Sequence, residues 1–274
     1  EDIKAPDCFL VEELCKKNMN IPVFHDDQHG TAIIVAAGLL NALQIKGKSI
    51  ATSKVVCVGA GAAGLATCDL LMELGLPADN LIVADSRGVL HQERTGLNAY
   101  KAAFVRHDLP EISLEEALTG ADVFIGVAKA DLLTPEMLVK MADSPIVFAL
   151  SNPDPEICPN LAKEVRSDLI IATGRSDFPN QINNILCFPY LFRGALDVGA
   201  RCINLEMKKA CVQAIRELAY EPVTPEMQKM WPNQTLEFGP DYIIPKPMDP
   251  RLQDRVSQAV IEAARASGAV VEQP

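Results

Sequence analysis

Residues 54–75 read KVVCVGAGAAGLATCDLLMELG, and this stretch indicates the architecture of the whole chain. A short valine-rich run leads into glycines spaced as G-x-G-x-x-G, and a helical pattern of apolar residues follows. Gly75 is predicted to end this helix, since glycine is common just past a helix C-terminus. A second apolar run, residues 80–85, ends in Asp85, 21 residues after Gly64. A dinucleotide-binding unit has a strand, a glycine turn and a helix in this order, and then a second strand that ends in an acidic residue. All four features are present here.

Each glycine of the turn has its own physical role. Gly59 permits the tight turn, Gly61 lets a pyrophosphate approach the backbone, and Gly64 lets the helix pack closely on the sheet. The helix N-terminus then offers free N–H groups to the phosphates. A glycine turn without a nucleotide is the alternative, but four agreeing features favour binding. We assign dinucleotide binding to Gly59, Ala60, Gly61, Ala62, Ala63 and Gly64.

Further buried strands are predicted on the C-terminal side of this unit. Apolar runs at 122–127, 145–150 and 168–173 alternate with helical patterns, among them 113–120, which begins with a capping box of Ser113 and Glu116. Strands that are apolar throughout indicate a parallel sheet covered on both faces. The chain is therefore predicted to be α/β, with a doubly wound, mostly parallel Rossmann-type sheet.

The segments outside the sheet differ in character. Residues 31–44 are apolar almost all round, which predicts a buried helix, and 96–106 could form a short helix. Seven prolines between 221 and 250 predict a long irregular excursion, and an amphipathic helix is expected at 251–267. The first residues, EDIKAPDCF, show no obvious helix start.

Composition excludes several classes of function. The chain has 274 residues, with 36 acidic and 25 basic side chains and a formal net charge of −11, which argues against nucleic acid and anionic membrane partners. None of the eight cysteines forms a CxxC pair, so reduced, buried thiols are expected. No signal peptide is visible, and the longest apolar run is too short to span a bilayer. We expect a cytoplasmic protein.

The cofactor could be NAD or NADP. A carboxylate such as Asp85 normally binds ribose hydroxyls and repels a 2′-phosphate, which favours NAD. Ser86 and Arg87 follow directly, and an arginine there could hold that phosphate or lie solvated at the surface. The sequence slightly favours NADP.

A second polar motif, HDDQHG (25–30), precedes the predicted apolar helix. Its aspartates could cap that helix, its histidines and aspartates could bind zinc, or its oxygens could hold Mg²⁺ or Mn²⁺. Capping accounts for only one of Asp26 and Asp27, and zinc would require more ligands. A hard-cation site needs further carboxylates, which Glu1 and Asp2 could supply by folding back.

Asparagines follow two of the predicted strands. Asn152 comes after the strand at 145–150, and Asn183 and Asn184 come after the one at 168–173. Ligands of open parallel sheets bind at the carboxyl ends of strands. Turn chemistry is a fair alternative for Asn152, which precedes a proline.

Five motifs in order give this chain a resemblance to the bacterial malic enzymes. They are IPVFHDDQHGTA, VGAGAAG, DSRG, ALSNPDPE and ATGRSDFPNQINNILCFPYLFRGALD, and the resemblance runs from Glu1 to about Ala210. It implies a divalent metal held by Glu1, Asp2 and Asp27, with Asp26 in a supporting catalytic role. It also implies that Asn152 and Asn184 contact L-malate and that Asn183, with Asn152, lies near the nicotinamide.

The resemblance further implies an activity and a domain organisation. The expected reaction is oxidative decarboxylation of L-malate to pyruvate and CO₂ with reduction of NAD or NADP, in a homodimer or larger assembly. Residues 30–183 would form the dinucleotide-binding domain, flanked by helical segments of a second, catalytic lobe at 1–29 and 184–274.

The resemblance implies that the general base, a lysine, and the general acid, a tyrosine, lie in an N-terminal lobe that we expect to be missing from residues 1–274. We therefore expect this chain alone to be almost inactive, with Lys4 and Lys129 serving surface solvation rather than catalysis. Two other classes stay open: a metal-independent NAD(P) dehydrogenase, and a dinucleotide sensor or interaction module without catalysis.

Overall fold

The structure is a computed structural model that describes residues 3–270. Its centre is a six-stranded sheet in the order β3-β2-β1-β4-β5-β6. The strands are β1 (Val55–Val58), β2 (Leu81–Asp85), β3 (Gly88–Val89), β4 (Val123–Gly126), β5 (Ile146–Ala149) and β6 (Ile170–Thr173). All neighbours pair in parallel except β2 and β3, which are antiparallel. The predicted mostly parallel sheet is confirmed.

Eleven α-helices lie within the described residues. They are α1 (Asp7–Asn18), α2 (Thr31–Ile45), α3 (Ala62–Glu73), α4 (Ala99–Ala102), α5 (Leu114–Leu118), α6 (Pro135–Lys140), α7 (Pro159–Val165), α8 (Phe188–Asp197), α9 (Leu205–Leu218), α10 (Pro225–Met230) and α11 (Arg251–Ala266). Asp26–Gly30 forms a π-helical turn immediately before α2, and two short 3₁₀ segments occur at Ala78–Asn80 and Asn184–Leu186.

The sheet is covered on both faces, as the apolar strands predict. Val55 and Cys57 of β1 point into one hydrophobic cluster, which includes residues of α2, α3, α9 and α11. Val56 and Val58 point into a second cluster, which includes residues of α5, α6 and α7. Alternate residues of a strand face opposite sides, so each strand contributes to both cores. The doubly wound arrangement is confirmed.

Helix α2 lies in the larger cluster because its sequence has no polar face. Ile33, Val35 and Leu39 are fully buried, and the amide of its one buried polar residue, Asn41, donates to the carbonyls of Arg216 and Ile243. These bonds satisfy a polar group that would otherwise be costly to bury. They also join α2 to α9 and to the segment before α11.

Several local predictions differ from the structure. Helix α1 has no counterpart among them, because its N-cap is Pro6 and no side chain caps it. The helix expected at 96–106 is only Ala99–Ala102, and the proline-rich stretch contains the short helix α10. The capping box of Ser113 and Glu116 is present. None of the helices between residues 3 and 270 combines the length and the hydropathy that a transmembrane span requires.

Candidate active site

The glycine turn between β1 and α3 has the geometry that its sequence predicts. Gly59 has φ +120°, and an added Cβ would lie 2.6 Å from the carbonyl oxygen of Val127. A Cβ at Gly64 would lie 1.9 Å from the carbonyl oxygen of Gly59, so the helix could not approach the turn. A Cβ at Gly61 would meet nothing within 4 Å. Gly61 therefore faces open space, which leaves room for a ligand to approach the backbone there.

A cleft of about 930 Å³ opens in front of this turn. Five of the residues assigned to the dinucleotide line it: Gly59, Ala60, Gly61, Asp85 and Ser86. Lys4, Lys101 and Lys129 also line it, so a cleft in an acidic chain carries several cations. An electropositive lining of this kind favours a phosphorylated ligand.

Asp85 is held by two cations that the sequence did not single out. Arg94 donates to its Oδ1 at 2.9 Å and to its Oδ2 at 3.1 Å, and Lys101 donates to Oδ2 at 2.8 Å. Burial opposes ionisation of this carboxyl group, but the bonds from Lys101, from the Arg87 backbone and from Arg94 outweigh it and lower the pKa of Asp85 to about 2. The Arg87 side chain lies exposed, and only its backbone N–H meets Asp85, at 2.9 Å.

The π-helical turn joins the second polar motif to the loop beyond β6. The side-chain amide of Asn184 donates to Oδ2 of Asp26 at 2.5 Å. A Cβ at Gly30 would lie 1.8 Å from Oδ1 of the same aspartate, so only glycine fits at the end of the turn. Asp26 is buried behind this contact, whereas the side chain of Asp27 is 52% exposed.

A smaller cavity, of about 320 Å³, is lined by polar residues that were assigned to the substrate, the metal and the nicotinamide. Asp27, Asn152, Asn183 and Asn184 line it together with Ser151. Ala128, which follows β4, lines both this cavity and the larger cleft, so the two spaces adjoin. Three separate sequence motifs therefore meet beside the dinucleotide cleft.

The described residues contain part of the predicted metal site. Asp27 faces the smaller cavity, while Glu1 and Asp2 lie outside the described residues. Within residues 3–270 no three His, Cys, Asp or Glu side chains group closely enough to hold a metal ion. The capping interpretation is wrong, because the N-cap of α2 is Gly30 and no side chain caps that helix. The oxygen donors of the cavity suit a hard cation rather than zinc.

The remaining predicted residues differ in whether they line these two spaces. Ala63 lines the smaller cavity, while Ala62 and Gly64 belong to the first turn of α3 and line neither space. Lys4 and Lys129 are exposed, as expected, yet both line the larger cleft.

A polar cluster behind the metal motif was missed. Oε1 of Glu12 on α1 lies 2.7 Å from Nε2 of His29, and Nδ1 of His29 lies 2.9 Å from the Lys208 ammonium group of α9. Glu12 also pairs with Lys16 at 2.8 Å. The one sequence feature that pointed to this cluster was a histidine in the HDDQHG motif. Its partners come from helices that nothing in the motif indicates.

The sequence model of one family matches most of the chain. The family is described as "Malic enzyme, NAD binding domain", and the match covers residues 28–235. The chain belongs to the malic enzyme family. The resemblance found from the five motifs is thereby confirmed, and a nicotinamide dinucleotide is the cofactor of this family's domain.

Curated malic enzymes are similar over nearly the whole chain. An enzyme of Halomonas elongata named "NADP-dependent malic enzyme" is 54% identical over 268 residues, which are 98% of this chain and 63% of that protein. A Rhizobium meliloti enzyme named "NAD-dependent malic enzyme" is 51% identical over 98% of this chain and 35% of that protein. The chain thus spans between 35% and 63% of the length of these relatives.

A solved malic enzyme has the same fold. The crystal structure of malic enzyme from Pyrococcus horikoshii superposes with a TM-score of 0.87 at 39% sequence identity, over 100% of this chain and 62% of that one. Both the malic enzyme sequence pattern and the malic enzyme architecture are therefore present across the described residues.

Proposed function

We propose that the complete protein catalyses the oxidative decarboxylation of L-malate to pyruvate and CO₂ with reduction of NADP or NAD. The observation that carries this proposal is the meeting of Asp27, Asn152 and Asn184 in one cavity beside the dinucleotide cleft. Amide groups beyond the carboxyl ends of two parallel strands, together with a carboxylate from the π-helical turn, suit a small hydroxy acid held against a nicotinamide.

The residues of this chain would bind and orient the reactants. The amides of Asn152 and Asn184 can donate to the malate carboxylates, and Asn183 lines the same cavity. Asp26 would fix the side chain of Asn184, which lines the cavity, through the 2.5 Å hydrogen bond. The nicotinamide supplies the acceptor for the hydride that leaves C2 of malate.

The donor set fits a divalent cation, with Asp27 as the ligand within the described residues and Glu1 and Asp2 as further proposed ligands. Bound Mg²⁺ or Mn²⁺ would act as a Lewis acid that stabilises the negative charge developing as CO₂ leaves. The base that takes the hydroxyl proton and the acid that protonates C3 are proposed to come from a lobe preceding Glu1. Residues 30–183 would then bind the dinucleotide, and 1–29 and 184–274 would complete the catalytic lobe.

NADP is the proposed preferred cofactor. Both oxygens of Asp85 are already occupied by Arg94, Lys101 and the Arg87 backbone, so this carboxylate is poorly placed to accept from ribose hydroxyls. Two cations around one carboxylate leave a net positive charge. A 2′-phosphate would be attracted rather than repelled at this edge of the cleft.

The reduction of nicotinamide at neutral pH tests the proposal. The complete protein would be incubated with L-malate and Mn²⁺, once with NADP and once with NAD, each with and without EDTA. We expect malate-dependent, EDTA-sensitive reduction with pyruvate as product, faster with NADP. Dinucleotide binding without any reduction would overturn the proposal in favour of a sensor module. The 274-residue chain alone should bind the dinucleotide and turn over almost no malate.

A further inference from the structure

Glu156 is a carboxylate that lies entirely within the core. Its exposure is 0%, and among residues 3–270 no Lys, Arg or His pairs with it. Burial raises the pKa of this carboxyl group, although hydrogen bonds from backbone N–H groups oppose the shift. Burying such a group is costly unless its oxygens are satisfied. The hydrogen bonds of its two oxygens therefore indicate its role.

The two carboxylate oxygens of Glu156 bind two different loops. Oε1 accepts from the backbone N–H of Ala128 at 2.9 Å, in the loop after β4. Oε2 accepts from the backbone N–H of Ser151 at 3.1 Å, in the loop after β5. Ala128 lines both the dinucleotide cleft and the smaller cavity, and Ser151 lines the smaller cavity beside Asn152. One side chain thus spans the carboxyl ends of two adjacent strands.

The sheet leaves space for this side chain at one glycine. A Cβ at Gly126, the last residue of β4, would lie 2.4 Å from Cδ of Glu156. The carboxylate therefore lies directly against the strand end, where any other residue would displace it. Both the glycine and the glutamate are needed for the two loops to be bridged.

We propose that Glu156 is a positioning residue that fixes the distance between the loops after β4 and β5 and thereby holds the nicotinamide half of the cofactor against malate. The inference rests on the proposed function, and it adds a residue that touches neither reactant. Glu156 acts through the backbone of Ala128 and Ser151. The adenosine half of the cofactor is expected beside Asp85, whose hydrogen bonds come from Arg94, Lys101 and the Arg87 backbone and not from the two loops that Glu156 bridges.

Only a carboxylate of this length can make both bonds. Glutamine has one acceptor oxygen, so its NH₂ group would face the N–H of one of the two loops. Aspartate is one methylene shorter and cannot reach both. Glu156→Gln keeps the shape of the side chain and removes one bond, which makes it the informative variant.

The test compares the whole dinucleotide with its adenosine half, using the complete protein. Binding of NADP and of 2′,5′-ADP (NAD and ADP, if NAD proves to be the cofactor) is measured by calorimetry for the wild type and Glu156→Gln. We expect the affinity of Glu156→Gln for the dinucleotide to fall about tenfold, which corresponds to the loss of one hydrogen bond to a charged group. Its affinity for the adenosine half should be unchanged. With malate, kcat should fall more than KM rises.

Asp249→Asn is the matched control. Asp249 is also a buried carboxylate, paired with Arg251 at 2.7 Å, and it lines neither cavity. This variant should lose stability without changing the ratio of the two affinities. If the ratio of dinucleotide affinity to adenosine-half affinity is the same in Glu156→Gln and in the wild type, the inference is overturned and the proposed function is unaffected. Failure of the wild type to bind any dinucleotide would instead count against the proposed function.

A measurement on the wild type keeps the inference testable if the variant does not fold. Ala128 and Ser151 follow strands rather than lying within them, so their amides would exchange rapidly with solvent deuterium without the Glu156 bonds. We expect slow hydrogen exchange at both amides. Fast exchange at either one would show that the carboxylate does not hold the loops together.

Discussion

The side-chain amide of Asn184 donates a hydrogen bond to Asp26 at 2.5 Å, across 158 positions of sequence. Asp26 belongs to the π-helical turn that carries Asp27, and Asn184 begins the 3₁₀ turn that Asn183 caps. This contact fixes the two polar motifs relative to each other. Asn184 itself lines the smaller cavity, and so does Asp27, the neighbour of Asp26, so the bond holds two parts of the cavity wall together.

Replacing Asn184 by alanine should reduce malate use more than dinucleotide binding. The change removes a donor to Asp26 and an amide from the cavity wall. We expect kcat/KM for malate to fall at least about 100-fold, since a partner of a charged group and a substrate contact are lost together. Steady-state kinetics would measure this change, and NADP titration would measure cofactor affinity.

Ile185→Ala is the control for that variant. Ile185 is the next residue, its side chain is exposed, and it lines neither cavity. Its kinetics should match those of the wild type. Unchanged malate kinetics in Asn184→Ala would refute the role proposed for this residue.

The glycine turn offers a pair of variants that separate folding from binding. Gly61→Ala adds a methyl group in open space, so the free energy of unfolding should change by less than about 1 kcal/mol. The same methyl group would obstruct a pyrophosphate, so dinucleotide affinity should fall more than tenfold, about 1.4 kcal/mol or more. Chemical denaturation and calorimetry measure the two quantities.

Gly64→Ala should behave in the opposite way. Its Cβ would lie 1.9 Å from the Gly59 carbonyl oxygen, so the helix must move away from the sheet. We expect a loss of stability of about 2 kcal/mol or more, because a clash in a packed core forces the backbone to shift. Equal stability of the two alanine variants would contradict the roles assigned to these glycines.

Local patterns predicted the sheet and the glycine turn because their physics is local. The G-x-G-x-x-G spacing specifies a turn on its own, and apolar strands specify a covered sheet. The partners of Asp85 could not be predicted in this way, since Arg94 and Lys101 reach it from a loop and a short helix with no fixed spacing. The contact of Glu12 with His29 also depends on how α1 packs, and α1 begins without a capping side chain.

Lys101 should contribute to the choice of cofactor. It donates to Asp85 at 2.8 Å and lines the dinucleotide cleft. Lys101→Ala removes one of two cations beside the expected 2′-phosphate. We expect the ratio of kcat/KM for NADP to that for NAD to fall about tenfold, the scale of one charge-assisted hydrogen bond. Kinetics with both cofactors at low ionic strength would measure it.

Lys140→Ala controls for the loss of one positive charge. Lys140 pairs with Glu115 at 2.6 Å and lines neither cavity. It should leave the cofactor ratio unchanged. If Lys101→Ala lowers the use of both cofactors equally, the lysine serves general binding and not the selection of NADP.

Asn180 should stabilise the loop that carries Asn183 and Asn184. It is 1% exposed, and its amide donates to the carbonyls of Ile171 at 3.1 Å and Pro240 at 2.7 Å. Its carbonyl oxygen accepts from the N–H of Ile243 at 3.1 Å. Asn180→Ala leaves three buried backbone groups without these partners. We expect the free energy of unfolding to fall by about 3 kcal/mol in urea denaturation.

Asn160→Ala gives the corresponding surface comparison. Asn160 is exposed in the first turn of α7 and should change stability by less than about 0.5 kcal/mol. A similar small effect at Asn180 would mean that water replaces the lost bonds and that the loop is held by other contacts.

Glu12 should make the free energy of unfolding depend on pH in the acidic range. Burial of this carboxyl group raises its pKa, but the hydrogen bonds from His29 and Lys16 outweigh burial and lower the pKa from 4.5 to about 2. A lowered folded-state pKa means that the ionised form stabilises the fold. The contribution is complete above pH 4.5 and is lost as pH falls through about 2. It amounts to at most about 3 kcal/mol for a shift of this size.

Comparison with Glu12→Gln isolates this contribution. At pH 7 the variant should unfold at lower urea concentration than the wild type, because glutamine is a weaker partner for Lys16 and His29. The difference in unfolding free energy should shrink steadily between pH 4.5 and pH 2, since the wild-type carboxylate takes up its proton there. Glu13→Gln, on the same helix with its pair to Tyr100 at 3.2 Å, is the control and should show no such convergence. A difference between Glu12→Gln and wild type that stays constant down to pH 2 would show that Glu12 contributes through packing and not through its charge.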